Sequence, residues 1–300
     1  MTALYATGWS LHLPGVQMAE AFPAARHAWA RADAVPPDRA GELLGRKGLL
    51  AVDPASRLAM CAVHRALSLP PGLRPTGRVQ PRTALIACAN FGAADAVTRV
   101  ARGVAGEQRR RVSVMDIPNV SGNIVGAAVA LRFGLGGPNL TVCSGTTAGL
   151  DGMRLASLLL RTRRADRVVL VGAEHAGEAA MALPVADPPA TPADGAACVV
   201  LEAARSDTVR QVLVHRLAAD QDWPRPPTFL IGRDGFDLTS RWGGLYGAQG
   251  VVALALAAHL AADEGHDGVA VCCDGEDGRR KALVTRAASA GTSADSRSRK

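Results

Sequence analysis

Six cysteines, Cys61, Cys88, Cys143, Cys198, Cys272 and Cys273, are the residues of this chain most suited to nucleophilic, redox or metal chemistry, because a thiolate is both nucleophile and ligand. They sit mostly among small apolar residues and lack the CxxC spacing of a zinc site, so they read as reduced thiols in a core. The seven histidines show no ligand spacing, and each reads as a solvent-facing or internally satisfied side chain. No metal and no cofactor is expected. The formal charge is +7, but Lys and Arg are scattered apart from residues 109–111, 161–167 and the C-terminal end. Such a surface suits any acidic partner and does not specify nucleic acid.

The elements that would position these side chains follow from pattern. With 48% hydrophobic and 20% charged residues, the chain can bury a large core, as one large domain or two small ones. Residues 83–89, Thr-Ala-Leu-Ile-Ala-Cys-Ala, form a short apolar run that predicts a buried strand. A small-residue helix is predicted over 121–133, stopped by Gly-Leu-Gly-Gly-Pro at 134–138. Then come a strand at 140–143, a nearly all-buried helix at 147–160, and strands at 167–172 and 196–202. Alternating strands and helices imply α/β layers. The run at 251–260 is apolar on every face, which predicts a helix sandwiched between layers. Prolines at 220–227 predict a loop, a candidate junction between halves, and the polar end of the chain predicts a disordered tail. The N-terminus lacks the charged and apolar regions of a signal peptide, and residues 247–260 are too few to cross a bilayer. A cytoplasmic protein with no membrane association is expected.

Residues 118–139, Pro-Asn-Val-Ser-Gly-Asn-Ile-Val-Gly-Ala-Ala-Val-Ala-Leu-Arg-Phe-Gly-Leu-Gly-Gly-Pro-Asn, resemble the β-ketoacyl synthase segment that leads into the catalytic elbow. Supporting matches are 45–59, 168–174 ending in Gly-Ala-Glu, and 194–202, Asp-Gly-Ala-Ala-Cys-Val-Val-Leu-Glu. The resemblance implies an α/β, thiolase-like layered αβαβα fold with a shortened second half. It divides the chain into a β-ketoacyl synthase N-terminal-like half (1–205), a truncated C-terminal half (206–285) and a tail (286–300). It also implies a nucleophilic cysteine at the N-terminus of a central helix, where amide dipoles stabilise the thiolate. The position matching that cysteine is Thr146. Cys143 lies three residues too early and reads as a buried small hydrophobe in a strand. Residues 241–251, Arg-Trp-Gly-Gly-Leu-Tyr-Gly-Ala-Gln-Gly-Val, look like the family's Gly-His-Leu-Leu-Gly-Ala-Ala-Gly motif, which places Gly244 at its histidine. The family's other histidine motif has no counterpart between 202 and 241.

All three members of the Cys-His-His constellation are thus absent from the matched positions. Decarboxylative condensation needs a thiolate to hold the acyl chain and imidazoles to polarise the thioester. No catalytic residue is expected, and residues 147–151, Thr-Ala-Gly-Leu-Asp, resemble chain length factors, the ketosynthase-like subunits that pair with an active ketosynthase and shape its tunnel. The resemblance implies an active ketosynthase and an acyl carrier protein as partners. It implies a tunnel wall at Ser121, Gly122, Val125 and Gly126, and a subunit seam at Leu140, Thr141, Val142 and Cys143. A plain reading assigns Gly122, Gly126 and Gly149 to close helix packing alone. Two other readings stay open: an unorthodox acyltransferase or thioesterase using Thr146 or Cys143, and a structural relic or stand-alone acyl-binding module.

Overall fold

A computed structural model describes residues 4–22, 34–75, 79–106, 113–183, 190–203 and 211–287. The chain opens with β1 (Leu4–His12), the short helices α1 (Met18–Ala21) and α2 (Gly41–Leu44), and the longer α3 (Pro54–Ala66). Asp53 caps α3 by accepting the Ser56 amide at 3.0 Å, with Pro54 preset for the first helical position. Next are β2 (Thr83–Cys88), α4 (Ala94–Ala105), α5 (Ile124–Phe133), β3 (Asn139–Val142), α6 (Ala148–Arg161), β4 (Arg167–Glu174), α7 (Glu178–Met181) and β5 (Gly195–Glu202). The rest supplies β6 (Val212–Leu217), β7 (Phe229–Ile231), α8 (Leu238–Trp242), α9 (Tyr246–Asp263), β8 (Val269–Gly275) and β9 (Gly278–Arg286).

The strands form one mixed sheet in the order β3-β2-β4-β5-β1-β6-β9-β8-β7. Its pairings repeat. In the first half β1 and β4 each run antiparallel to β5, and β2 runs parallel to β4. In the second, β6 and β8 run antiparallel to β9, and β7 runs parallel to β8. The antiparallel pair β1–β6 joins the two sets. β3, parallel to β2 at the outer edge, has no counterpart beside β7 among the described residues.

Strand side chains alternate between two cores, as the pleat requires. Leu85, Val169, Val171 and Val200 face α3 and α5, packing on Leu58, Val63, Val129 and Phe133. Ile86, Leu170, Val199 and Leu201 face α6 and α9, whose opposite side meets Val214, Val271 and Val284 of the second set. The layering is therefore α, β, α, β, with the shortened second half covered outside by the proline-rich loop at 218–228. There Lys281 Nζ donates to the Gln221 carbonyl at 2.5 Å and lies 4.5 Å from the Trp223 ring. α9 is buried from Tyr246 to Ala261 apart from Gln249, as its uniform apolarity predicts. It crosses α6 where a Cβ on Gly149 would stand 2.6 Å from the Cα of Gly250, so the close-packing reading of Gly149 holds. Among the described residues no helix is long and apolar enough to cross a membrane.

Several expectations are corrected. Residues 121–123 lie outside helix α5: Pro118 belongs to a separate 3-10 turn, Ile117–Val120, and the Ser121 hydroxyl bonds the Asn123 side chain at 2.5 Å. α6 is not buried all round, since Leu158 is 47% exposed. Only its inner face meets the sheet and α9. The 218–228 loop joins β6 to β7 within the second set of strands. β9 runs on through Arg286 because Leu213 and Val212 pair with Thr285 and Arg286. The rest of the predicted tail, from residue 288, lies outside the described residues.

Candidate functional site

The carboxyl ends of β2, β3 and β4 converge with the amino ends of α6 and α9, the place where ligands bind in parallel α/β sheets. Thr146 sits there, in the 3-10 turn Gly145–Thr147 that opens α6. Its hydroxyl donates to the backbone carbonyl of Asp274, near the end of β8, so its one proton is committed to a group that cannot act as a base. The neighbouring carboxylate serves others. Asp151 Oδ2 accepts from Ser144 Oγ at 2.7 Å and Thr147 Oγ1 at 2.9 Å, and its Oδ1 accepts from Arg280 Nε at 2.8 Å. Burial opposes ionisation of Asp151, but these hydrogen bonds, Arg280's foremost, outweigh it and hold the carboxyl below its usual range.

Cys143 lies one residue past β3 and is exposed, which corrects the buried-strand reading: β3 is an edge strand, so its apolar neighbours do not enclose it. The thiol donates to the Ala89 carbonyl at 3.1 Å. Burial of the sulfur, then the nearby Glu174 charge, push its pKa up, the opposite of what an activated thiolate requires. Glu174, the last residue of β4, is 1% exposed. It accepts amides from Asn90 at 2.5 Å, Phe91 at 3.2 Å and Gly247 at 3.0 Å. Burial nevertheless pushes its pKa up to about 7. Sequence pattern gave this carboxylate no role, although it ends the Gly-Ala-Glu match.

Gly244 is buried just before α9. Its N–H donates to the Thr191 carbonyl at 2.7 Å and its carbonyl accepts from Ala193 at 3.1 Å. Beside it the Tyr246 ring, 3% exposed, packs edge-on against Phe91 with centroids 4.9 Å apart. Thr146 and Gly244 thus both reach the site, at the starts of α6 and α9.

The four tunnel candidates are not brought together. Ser121 and Gly122 are exposed on the turn before α5, Val125 belongs to the core under α3, and a Cβ on Gly126 would stand 2.8 Å from Asn139 Oδ1. None of them lines the large cleft of about 1290 Å³ that opens between α3, α4 and residues 175–180. Phe91, Arg99, Met115 and His175 are among the residues that do. His175 bonds Asp194 at 2.8 Å and lies 3.8 Å from Asp95. The hydrogen bond to Asp194 raises its pKa against the pull of burial. Val97 and Val104 of α4, with Val114 and Ile117 after it, are exposed and do not line the cleft. The seam candidates Leu140, Thr141 and Val142 lie on β3 and Cys143 just beyond it, with β2 on one side and, among the described residues, no strand on the other.

A family model described as β-ketoacyl synthase, N-terminal domain, matches residues 9–184. No curated protein matches the sequence. Among solved structures, the ishigamide ketosynthase/chain length factor aligns over 96% of this chain and 100% of its own, with TM-score 0.69 and 20% identity. A type II PKS acyl-carrier protein in complex with its ketosynthase bound to the hexaketide aligns over 96% and 100%, with TM-score 0.66 and 14% identity. The ketosynthase from module 1 of the bacillaene synthase of Bacillus amyloliquefaciens aligns over 99% and 75%, with TM-score 0.59 and 14% identity. At these identities the likeness is one of fold.

Proposed function

This chain belongs to the β-ketoacyl synthase family, and from that premise we propose that it is a ketosynthase-like partner subunit of the chain length factor type, in polyketide or fatty acid biosynthesis. It pairs with an active ketosynthase, meets acyl or malonyl carrier protein through that complex in the cytoplasm, and performs no condensation itself. The observation that carries this reading is the state of Thr146. It stands in the turn that opens α6, at the position that the motif match assigns to the family's cysteine, and its hydroxyl bonds a backbone carbonyl, with no base bonded to it among the described residues. An unassisted threonine hydroxyl is a weak nucleophile. The acyltransferase alternative draws no support from Cys143 either, whose pKa is shifted up, by partial desolvation of the sulfur and then by Glu174, and not down as an activated thiolate requires. The open edge of β3 and the exposed apolar side chains Val97, Val104, Val114 and Ile117 suit a chain that completes its surface against a partner.

Intact-mass spectrometry after incubation with malonyl and acyl carrier protein tests the reading. The mass should stay unchanged. A stoichiometric acyl adduct that disappears in Thr146→Ala or Cys143→Ala would overturn it. Affinity purification from cells that also express a ketosynthase should recover the two in equal amounts.

A further inference from the structure

The family motif has histidine and leucine where this chain has Gly244 and Tyr246, so a large residue has become small and its near neighbour has become large. The geometry shows what joins the two changes. A Cβ built on Gly244 would stand 2.8 Å from Tyr246 Cε2, 2.9 Å from Cζ and 3.1 Å from the phenol oxygen, closer than packed carbons tolerate. We infer that Tyr246 is the occupant of the histidine position: its phenol fills the volume that a side chain at 244 requires, so the fold accepts an aromatic at 246 or an imidazole at 244 but not both. The inference deepens the partner-subunit reading and rests on it for the alignment of the motif.

Neither side of the contact is free to yield. The Tyr246 ring is held edge-on by Phe91, and its hydroxyl donates to the Ala190 carbonyl at 3.0 Å. Its backbone has a φ of +36°, a left-handed conformation that a bulky residue keeps only when its surroundings enforce it. On the other side, two backbone hydrogen bonds pin Gly244 to residues 191–193. Gly243, at φ +84°, has the Thr191 carbonyl 2.9 Å from where its own Cβ would be. The substitution also changes the chemistry of the position. An imidazole could offer a proton to a thioester carbonyl, whereas this phenol has already given its proton to Ala190. The non-catalytic state is therefore built into the packing, and restoring a histidine alone would not restore the site.

A double-mutant comparison of unfolding equilibria tests this on the full chain, together with whatever partner it co-purifies with. Gly244→Ala should raise the unfolding constant by about 10- to 100-fold, as overpacking does. In a Tyr246→Leu background the same step should change it by less than about threefold, the range of a change that meets no clash. Gly244→His with Tyr246→Leu should likewise be more stable than Gly244→His alone. Equal effects of Gly244→Ala in both backgrounds, or a Gly244→Ala protein as stable as the parent, would overturn the inference. Should Gly244→His fail to fold, the alanine pair still decides. A chain that self-acylates yet keeps the coupling would sink the partner reading and leave this pair standing. Independent effects without acylation would do the reverse.

Discussion

Replacing Glu174 by Gln should flatten the dependence of stability on pH. Burial raises the folded-state pKa from 4.5 to about 7, so the folded chain binds this proton more tightly than the unfolded chain does. The sign follows by linkage: the group's contribution is fully present below the unfolded pKa and is lost as pH rises through the folded one. With those two values, the loss between about pH 5 and about pH 8 comes to about 2.5 kcal/mol, a sizeable part of a typical domain's stability. Gln keeps the shape of the protonated acid and cannot ionise. Its amide would face the Phe91 N–H, adding a constant offset that does not vary with pH. His175 titrates nearby and gives a slope of the same sign, so the quantity to measure is the difference between parent and Glu174→Gln. Urea unfolding at the two pH values supplies it, and the difference should shift in favour of the variant by about 2.5 kcal/mol on going to the higher pH. A difference that is the same at both values would refute the argument that a buried, ionised carboxylate strains this site.

Two further outcomes follow from packing and from the open edge. Gly149→Ala drives a methyl into the backbone of Gly250 at the α6–α9 crossing and should cost about 1–3 kcal/mol or more in chemical denaturation, whereas Gly122→Ala, with nothing within 4 Å, should cost less than about 1 kcal/mol. Val142→Lys sets an ammonium on the free edge of β3 and should dissociate the complex in gel filtration, because leaving a charge unpaired in a seam costs several kcal/mol; an unchanged elution volume would remove β3 from the interface.

What the sequence disclosed and what it hid have physical causes. The unbroken apolar run of β2, the uniform apolarity of α9 and the left-handed stop at Gly134, φ +66°, are local signals that no distant contact needed to complete. β1 escaped notice because its register shifts between Ala6 and Gly8 and because Ser10 and His12 are buried on it. Long-range bonds engage both: the Ser10 hydroxyl donates to the Ala62 carbonyl and His12 Nε2 bonds the Val35 carbonyl. α4 escaped for the opposite reason: its Val97 and Val104 face solvent, so no core demanded them. At the site, the place of Thr146 just before a helix was legible from its distance to Gly-Pro-Asn. The bond that engages its hydroxyl reaches 128 residues along the chain, and nothing local announces it. The close approach of the Tyr246 ring to Gly244 was not legible, because two residues apart in sequence says nothing of a ring folded back over a glycine.

The two ends of the sheet differ in a way that would favour pairing at one end only. A free strand edge pairs with whatever edge it meets, and a molecule with two free edges can propagate into a filament. Here the ends differ. Among the described residues no strand lies beside β3 at the outer edge, whereas the chain leaving β7 turns straight back: the Phe236 N–H donates to the Leu230 carbonyl at 2.8 Å and the Gly232 N–H to Phe236 at 3.1 Å. Phe236 then stacks with Phe22, Phe229 and Trp242, and the Arg241 guanidinium lies 4.6 Å over its ring. A turn and an aromatic cluster thus stand where a counterpart of β3 would have paired. The second half is closed at β7 while β3 keeps an edge with no strand beside it among the described residues, an asymmetry that fits the proposed pairing at β3.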